Sequence, residues 1–250
     1  MRVLRGRAAG RDADREVVAD MLERAAETAE ESVRVWRPHR QLAFGRRDSR
    51  ADDYDVATKV ADACEFPPVE RSVGGRAVAY TGNTVAFAKV VPLVDMRIGM
   101  DDRYEKTTRA VQRALWRLGA PASRGEPEAS FCPGDYSLQQ NGKLAGIAQR
   151  VRKDAALVSG VVVVRDHDEI ADVLEPVYRA LDVPFDPATV GSVAAAGGPS
   201  DPETVARAVE SALVGDHEVS VGALRRSRRR PSARHNTAAR ADGANPGTTA

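Results

Sequence analysis

The 250-residue chain is 42% hydrophobic and 29% charged, an ordinary globular composition long enough to bury one substantial core. Its formal net charge of +1 excludes a protein that holds nucleic acid or membrane through bulk electrostatics. Two cysteines, Cys64 and Cys132, cannot build a disulfide framework, and no Cys-x-x-Cys or His/Cys cluster has zinc-ligand spacing, so the expectation is a reducing, cytoplasmic setting without a metal site.

The N-terminus, MRVLRGRAAGRDADRE, lacks the apolar centre of a signal peptide. From Asp14 to Ser32 the apolar residues Val17, Val18, Met21, Leu22, Ala25, Ala26 and Ala29 recur at helical spacing, which predicts an amphipathic helix. Short β-type runs follow at Val33 to Trp36 and Leu42 to Gly45, then a helix from Asp52 to Cys64 stopped by Pro67-Pro68. Strands are expected at Arg76 to Tyr80 and Thr84 to Val90, bounded by turns at Gly74-Gly75 and Gly82-Asn83. A helix from Asp101 to Leu118 ends at Gly119 and Pro121.

The strongest hairpin signal is Tyr136 to Gln140, Asn141-Gly142, Lys143 to Gln149, because Asn-Gly readily takes the positive φ angles of a type I′ turn. Ala155 to Val164 reads as a buried strand, too short to span a bilayer, and helices near Asp168 to Leu181 and Asp201 to Leu213 complete the folded part. Mixed helices and hairpin-joined strands predict an α+β fold, a single catalytic domain whose mixed, largely antiparallel sheet is packed by helices. The expected division is an N-terminal helix over 1–32, a catalytic domain over 33–215 and a basic, disordered tail over 216–250. Seven arginines against three acidic residues give that tail +4 and leave the rest at −3; a basic tail is compatible with nucleic acid or an acidic partner, though a solvated or aberrant C-terminus is the simpler reading.

Only five of the 37 basic residues are lysines, so Lys143, directly after the Asn-Gly turn, stands out. A partly desolvated amine there can hydrogen-bond an acyl carbonyl or a phosphate, while a lysine beside a hairpin turn is more often solvated surface. Cys132, in Phe-Cys-Pro-Gly-Asp ahead of the hairpin, is either an exposed nucleophile or a small hydrophobe beside Phe131. The Arg71-Ser72-Val73-Gly74-Gly75-Arg76 turn can cradle a carboxylate, phosphate or carbonyl, or be a plain glycine loop. Gly146 permits close backbone approach or a bulge. No Walker-type or dinucleotide glycine fingerprint is present.

Three blocks, RVWRPHRQLAFGRRD, ERSVGGRAVAYTGN and SFCPGDYSLQQNGKLAGIAQR, together resemble the biotin/lipoate protein ligase superfamily, in its lipoate ligase and octanoyltransferase branch. The likeness runs from Val33 to Leu213, and the Lys143-x-x-Gly146-x-x-Gln149 pattern is its most specific part. The resemblance implies catalytic roles for Cys132 and Lys143, with Arg71, Gly74, Gly75, Val78, Gly146 and Gln149 binding substrate and Val85 beside Val78 in an acyl slot. A cysteine just ahead of the lysine block looks most like the amidotransferases that form an octanoyl thioester. That reaction requires no cofactor, whereas an ATP-dependent lipoate ligase would need ATP and Mg. The implied partners are lipoyl-domain or glycine-cleavage-type carrier proteins and the octanoyl or lipoyl group. Tyr80-Thr81 where relatives often have His-Asp, Ser159-Gly160 in place of His-Gly, and Val73 in place of a small polar residue depart from the pattern, and they keep a non-catalytic carrier-binding module as a third reading.

Overall fold

A computed structural model describes residues 1–71, 75–95 and 99–224. The strands are β1 (Arg2–Arg5), β2 (Ser32–Trp36), β3 (Gln41–Phe44), β4 (Pro68–Glu70), β5 (Val78–Tyr80), β6 (Val85–Pro92), β7 (Ser123–Arg124), β8 (Leu138–Gln139), β9 (Lys143–Val151), β10 (Ala155–Val162) and β11 (Ser220–Gly222). The helices are α1 (Arg11–Thr28), α2 (Tyr54–Ala63), α3 (Met100–Arg117), α4 (His167–Ala180) and α5 (Pro202–Val214). Among the described residues no helix is long and apolar enough to cross a membrane.

The main sheet has the order β11-β1-β2-β6-β10-β9-β8-β7. Its first two pairings are parallel and the other five antiparallel, so the fold is α+β and largely antiparallel, as the alternation of elements predicts. A small sheet, β4-β3-β5, stands apart.

Strand alternation sorts side chains onto two faces. Val33, Val35, Val85, Phe87, Val158 and Val162 point into the core shared with α3 and α5. The opposite face splits. Ala88, Val90 and Leu157 pack under α1, while Val161 and Val163 join a second core with the small sheet, α2 and α4. Between Val33 and Val35 the guanidinium of Arg34 is fully buried on this second face, where it pairs with the Asp14 carboxylate and donates to Gly6 O at 3.0 Å and Asp14 O at 3.1 Å. That pair pins α1 to the sheet.

Several expectations are revised. The strands after the Arg71–Arg76 turn form but do not pair with each other: β5 joins β3, whereas β6 lies between β2 and β10. The reason is burial, since Val78 belongs to the α2/α4 core and Val85 to the α3/α5 core. The helix expected to reach Ser32 stops at Thr28, because Ala29 turns left-handed (φ 54°) and its N–H returns to Ala25 O. The hairpin forms with Gln139 opposite Lys143, so three residues span the turn, and Asn141 and Gly142 both have positive φ. Within 1–32, β1 pairs with β2; within 216–250, β11 pairs with β1. Ladder bonds use only main-chain groups, so a strand such as β11 forms without a periodic apolar face. Residues 225–250 lie outside the described residues.

Candidate active site

The site is built on the loop between β7 and β8, which closes onto the first residue of β9. A fully extended chain would carry Cys132 far from Lys143, since each residue advances ~3.3 Å. Instead, the loop doubles back through Pro133-Gly134: Ser137 N–H bonds Gly134 O at 3.2 Å, and Gly134 N–H bonds Glu126 Oε2 at 3.0 Å.

Lys143 is fully buried. Its ammonium donates to Phe131 O and Cys132 O, both at 2.8 Å, and to the Glu126 carboxylate at 2.9 and 3.0 Å, above the Phe131 ring. An ammonium has three hydrogens, and two carbonyls and a carboxylate use all of them. In this structure the three Lys143 hydrogens go to Glu126, Phe131 O and Cys132 O, so the amine holds the Cys132 loop. Burial holds the amine below its ordinary value, opposed by the Glu126 charge and then by Cys132.

Clamped in this way, Cys132 adopts φ 43°, a left-handed conformation that costs a non-glycine residue ~1–2 kcal/mol. Its N–H donates to the Tyr178 hydroxyl at 2.7 Å, and that hydroxyl donates onward to Ala77 O at 3.0 Å. Tyr178 lies on the buried face of α4, and burial pushes its phenol well above the usual range. The result is a half-buried sulfur turned toward the arginine turn.

There the Cys132 Sγ accepts from Arg71 Nη2 at 3.0 Å and from the Arg76 N–H at 3.4 Å. Burial works against the charge of Arg71, but Cys132, then Tyr80 and Tyr178, more than offset it, and its value is raised. Arg76 is itself held by Asp48, at 3.2 Å, whose other oxygen accepts from Gly45 N at 2.9 Å. Glycine is required at two points of this contact. A Cβ on Gly75 (φ +99°) would lie 2.6 Å from the sulfur, and one on Gly45 would lie 1.8 Å from Gly75 O.

The structure thus brings together Cys132, Lys143, Arg71 and Gly75. Gly146 adjoins them, since a Cβ there would meet Lys143 Cε at 3.4 Å. Val78 shares a core with Phe131 and Tyr178, but Val85 is in the other core. Gln149 is not in this group: its Oε1 accepts from Arg103 Nε at 2.9 Å and its N–H donates to the Tyr104 hydroxyl at 2.7 Å, both on α3. Gly74 lies outside the described residues. Sequence reading missed Glu126, Tyr178 and Asp48, whereas the Arg76 N–H belongs to the turn expected to cradle a ligand. Only Tyr178 left a trace, because a phenol on an apolar helix face needs a buried partner.

The fold aligns with a crystal structure of lipoate-protein ligase A bound with ATP, at TM-score 0.67 and 19% identity over 88% of each chain. Fold and site together define a lipoate-ligase-like α+β domain that carries a built thiol centre. The chain belongs to the lipoyl protein ligase A/B catalytic domain family, whose model matches residues 15–213. Similar relatives include an octanoyl-[GcvH]:protein N-octanoyltransferase of Bacillus velezensis, 28% identical over 60% of this chain and 53% of the relative. A lipoyl-[GcvH]:protein N-lipoyltransferase of Listeria monocytogenes is 29% identical over 50% of this chain and 45% of its own length. The chain spans about half the length of these curated relatives.

Proposed function

We propose that the protein is an N-acyltransferase that moves an octanoyl or lipoyl group from a lysine of one carrier protein to a lysine of another, through a thioester on Cys132. The observation that carries this reading is the Cys132 sulfur held by its own main chain against two donors, Arg71 Nη2 at 3.0 Å and the Arg76 N–H at 3.4 Å. The relatives named for octanoyl and lipoyl transfer from GcvH support the same substrate class, and a GcvH-type carrier is the partner we assign. A non-catalytic module has no need for a sulfur so placed.

In the first half-reaction the thiolate attacks the carbonyl carbon of the acyl-lysine amide. The C–S bond forms, the C–N bond breaks, and the departing lysine nitrogen takes up a proton. The oxyanion forms on an atom bonded to the carbon that the sulfur has joined, within reach of the two donors now on the sulfur. In the second half-reaction an acceptor lysine attacks the thioester carbon, C–N forms as C–S breaks, the nitrogen loses its proton and the thiolate returns. One amide replaces another, so no ATP is consumed.

The C8 chain needs an apolar slot. Burying about six methylenes at ~0.8 kcal/mol each contributes roughly 5 kcal/mol, enough for selection by length. Val78 and Gly146 are the wall and clearance we assign to it. The working unit on this reading is 33–215, extended at the sheet edge by β1 and β11.

Incubation with an octanoylated carrier and intact-mass measurement is the test. The expected result is one octanoyl increment on Cys132, absent in Cys132→Ser together with all transfer. Full, ATP-dependent acylation of a lipoyl domain by Cys132→Ser would overturn the transferase reading in favour of a ligase.

A further inference from the structure

We infer that Glu126 is a positioning residue of this site, holding Lys143 and the Cys132 loop as one unit so that the sulfur faces its two donors. The inference rests on the thioester reading above.

The Glu126 carboxylate ties the loop on both sides of Cys132 to Lys143. Its two oxygens accept from Lys143 Nζ at 2.9 and 3.0 Å, Oε1 also accepts from the Ser130 hydroxyl, and Oε2 accepts from the Gly134 N–H at 3.0 Å. Residues on both sides of Cys132 are thus tied to one side chain. The remaining Lys143 hydrogens fix the carbonyls of the two peptides that flank Cys132, Phe131 O and Cys132 O, at 2.8 Å each. A left-handed cysteine persists only where its surroundings over-determine it, and these bonds supply that constraint.

Charge makes the link specific. Lys143 is fully buried, whereas Glu126 retains 21% side-chain exposure, so the carboxylate is the counter-charge that lets a cation stay in a dry position. The titratable groups facing Lys143 are Glu126 and Cys132 from the β7–β8 loop and Arg71 from the segment after β4. Of the three, Glu126 makes the direct ion pair. An amide in its place keeps the size and loses the charge. The amine would then release its proton at lower pH, and its grip on the two carbonyls would no longer be charge-assisted.

The test compares wild type with Glu126→Gln and Glu126→Asp, reading Cys132 thioester formation by rapid-quench mass spectrometry from pH 6 to 10. Glu126→Gln is expected to slow thioester formation by about 10²-fold, the scale of a nucleophile misplaced by an ångström. The KM for the octanoylated carrier stays unchanged, and the alkaline fall in rate moves to lower pH. Glu126→Asp, which keeps the charge on a shorter arm, recovers most of the rate and the wild-type pH limb. Wild-type rate in Glu126→Gln would overturn the inference. So would equal rate losses in both variants with equal falls in melting temperature and an unmoved limb, the pattern of a purely structural residue. Iodoacetamide alkylation of Cys132 separates this from the reading beneath it. If wild type never acquires an acyl group, the thioester reading fails, and the inference on Glu126 then stands on slower alkylation in Glu126→Gln or falls on an unchanged rate.

Discussion

At Gly75 the contact between Cys132 and Arg71 depends on a missing methyl group. A Cβ there would meet the Cys132 sulfur at 2.6 Å and Arg71 Nη2 at 2.8 Å, on a backbone at φ +99°. Gly75→Ala is therefore expected to separate nucleophile from donor and reduce thioester formation by about 10²-fold, with a loss of stability on the order of 1–2 kcal/mol from the left-handed backbone. Quench kinetics and denaturant unfolding measure the two effects separately. Lys143 makes a pH prediction of the opposite kind. Burial lowers its native value below the ordinary 10.5, so between the native value and 10.5 the unfolded chain binds more protons than the folded one. Stability contributed through this group consequently rises with pH across that window. Denaturant midpoints compared between wild type and Lys143→Met should show the wild-type advantage growing toward pH 10.5; parallel curves would mean that the amine titrates alike in both states. Both residues were visible as a glycine turn and a rare lysine. The Cys132 contact with Arg71 and Arg76 was not, because the cysteine lies more than 50 positions from both in the chain.

Among the elements, α1 illustrates what periodicity reads and what it leaves out. The apolar stripe Val17, Met21, Leu22 and Ala25 was legible, and it is the stripe that packs on Ala88, Val90 and Leu157. The buried Asp14–Arg34 pair was not legible, because nothing in a β-type run marks one arginine as internal. Side-chain exposures of 0% for Arg34 and 9% for Asp14 make this a pair in which removing one partner strands the other. Asp14→Asn is expected to cost about 3–5 kcal/mol, while the double change Asp14→Leu with Arg34→Met costs far less, since a buried pair exchanged for apolar groups is often close to neutral. Thermal unfolding of the three chains decides it, and a double mutant no more stable than Asp14→Asn would refute the account. The β8–β9 hairpin lies at the legible extreme. Asn141-Gly142 announces the turn, but the first strand is shortened to Leu138–Gln139 and pairs Gln139 rather than Gln140 with Lys143.

Across the whole molecule, the sequence alone determined the α+β class, most helices and strands, the hairpin that presents Lys143, and a cysteine placed just ahead of it. These follow from local periodicity, turn chemistry and composition, which act over a few residues at a time. Only the tertiary structure decided that β5 and β6 part into different sheets, that β1 and β11 extend the main one, and that Gln149 turns to α3 while Lys143 spends its hydrogens on Glu126 and the Cys132 loop. The physical reason is that a buried charge must find its counter-charge and a buried N–H its acceptor wherever the packed chain supplies them. Those partners are chosen by proximity in the fold, which no spacing in the sequence records.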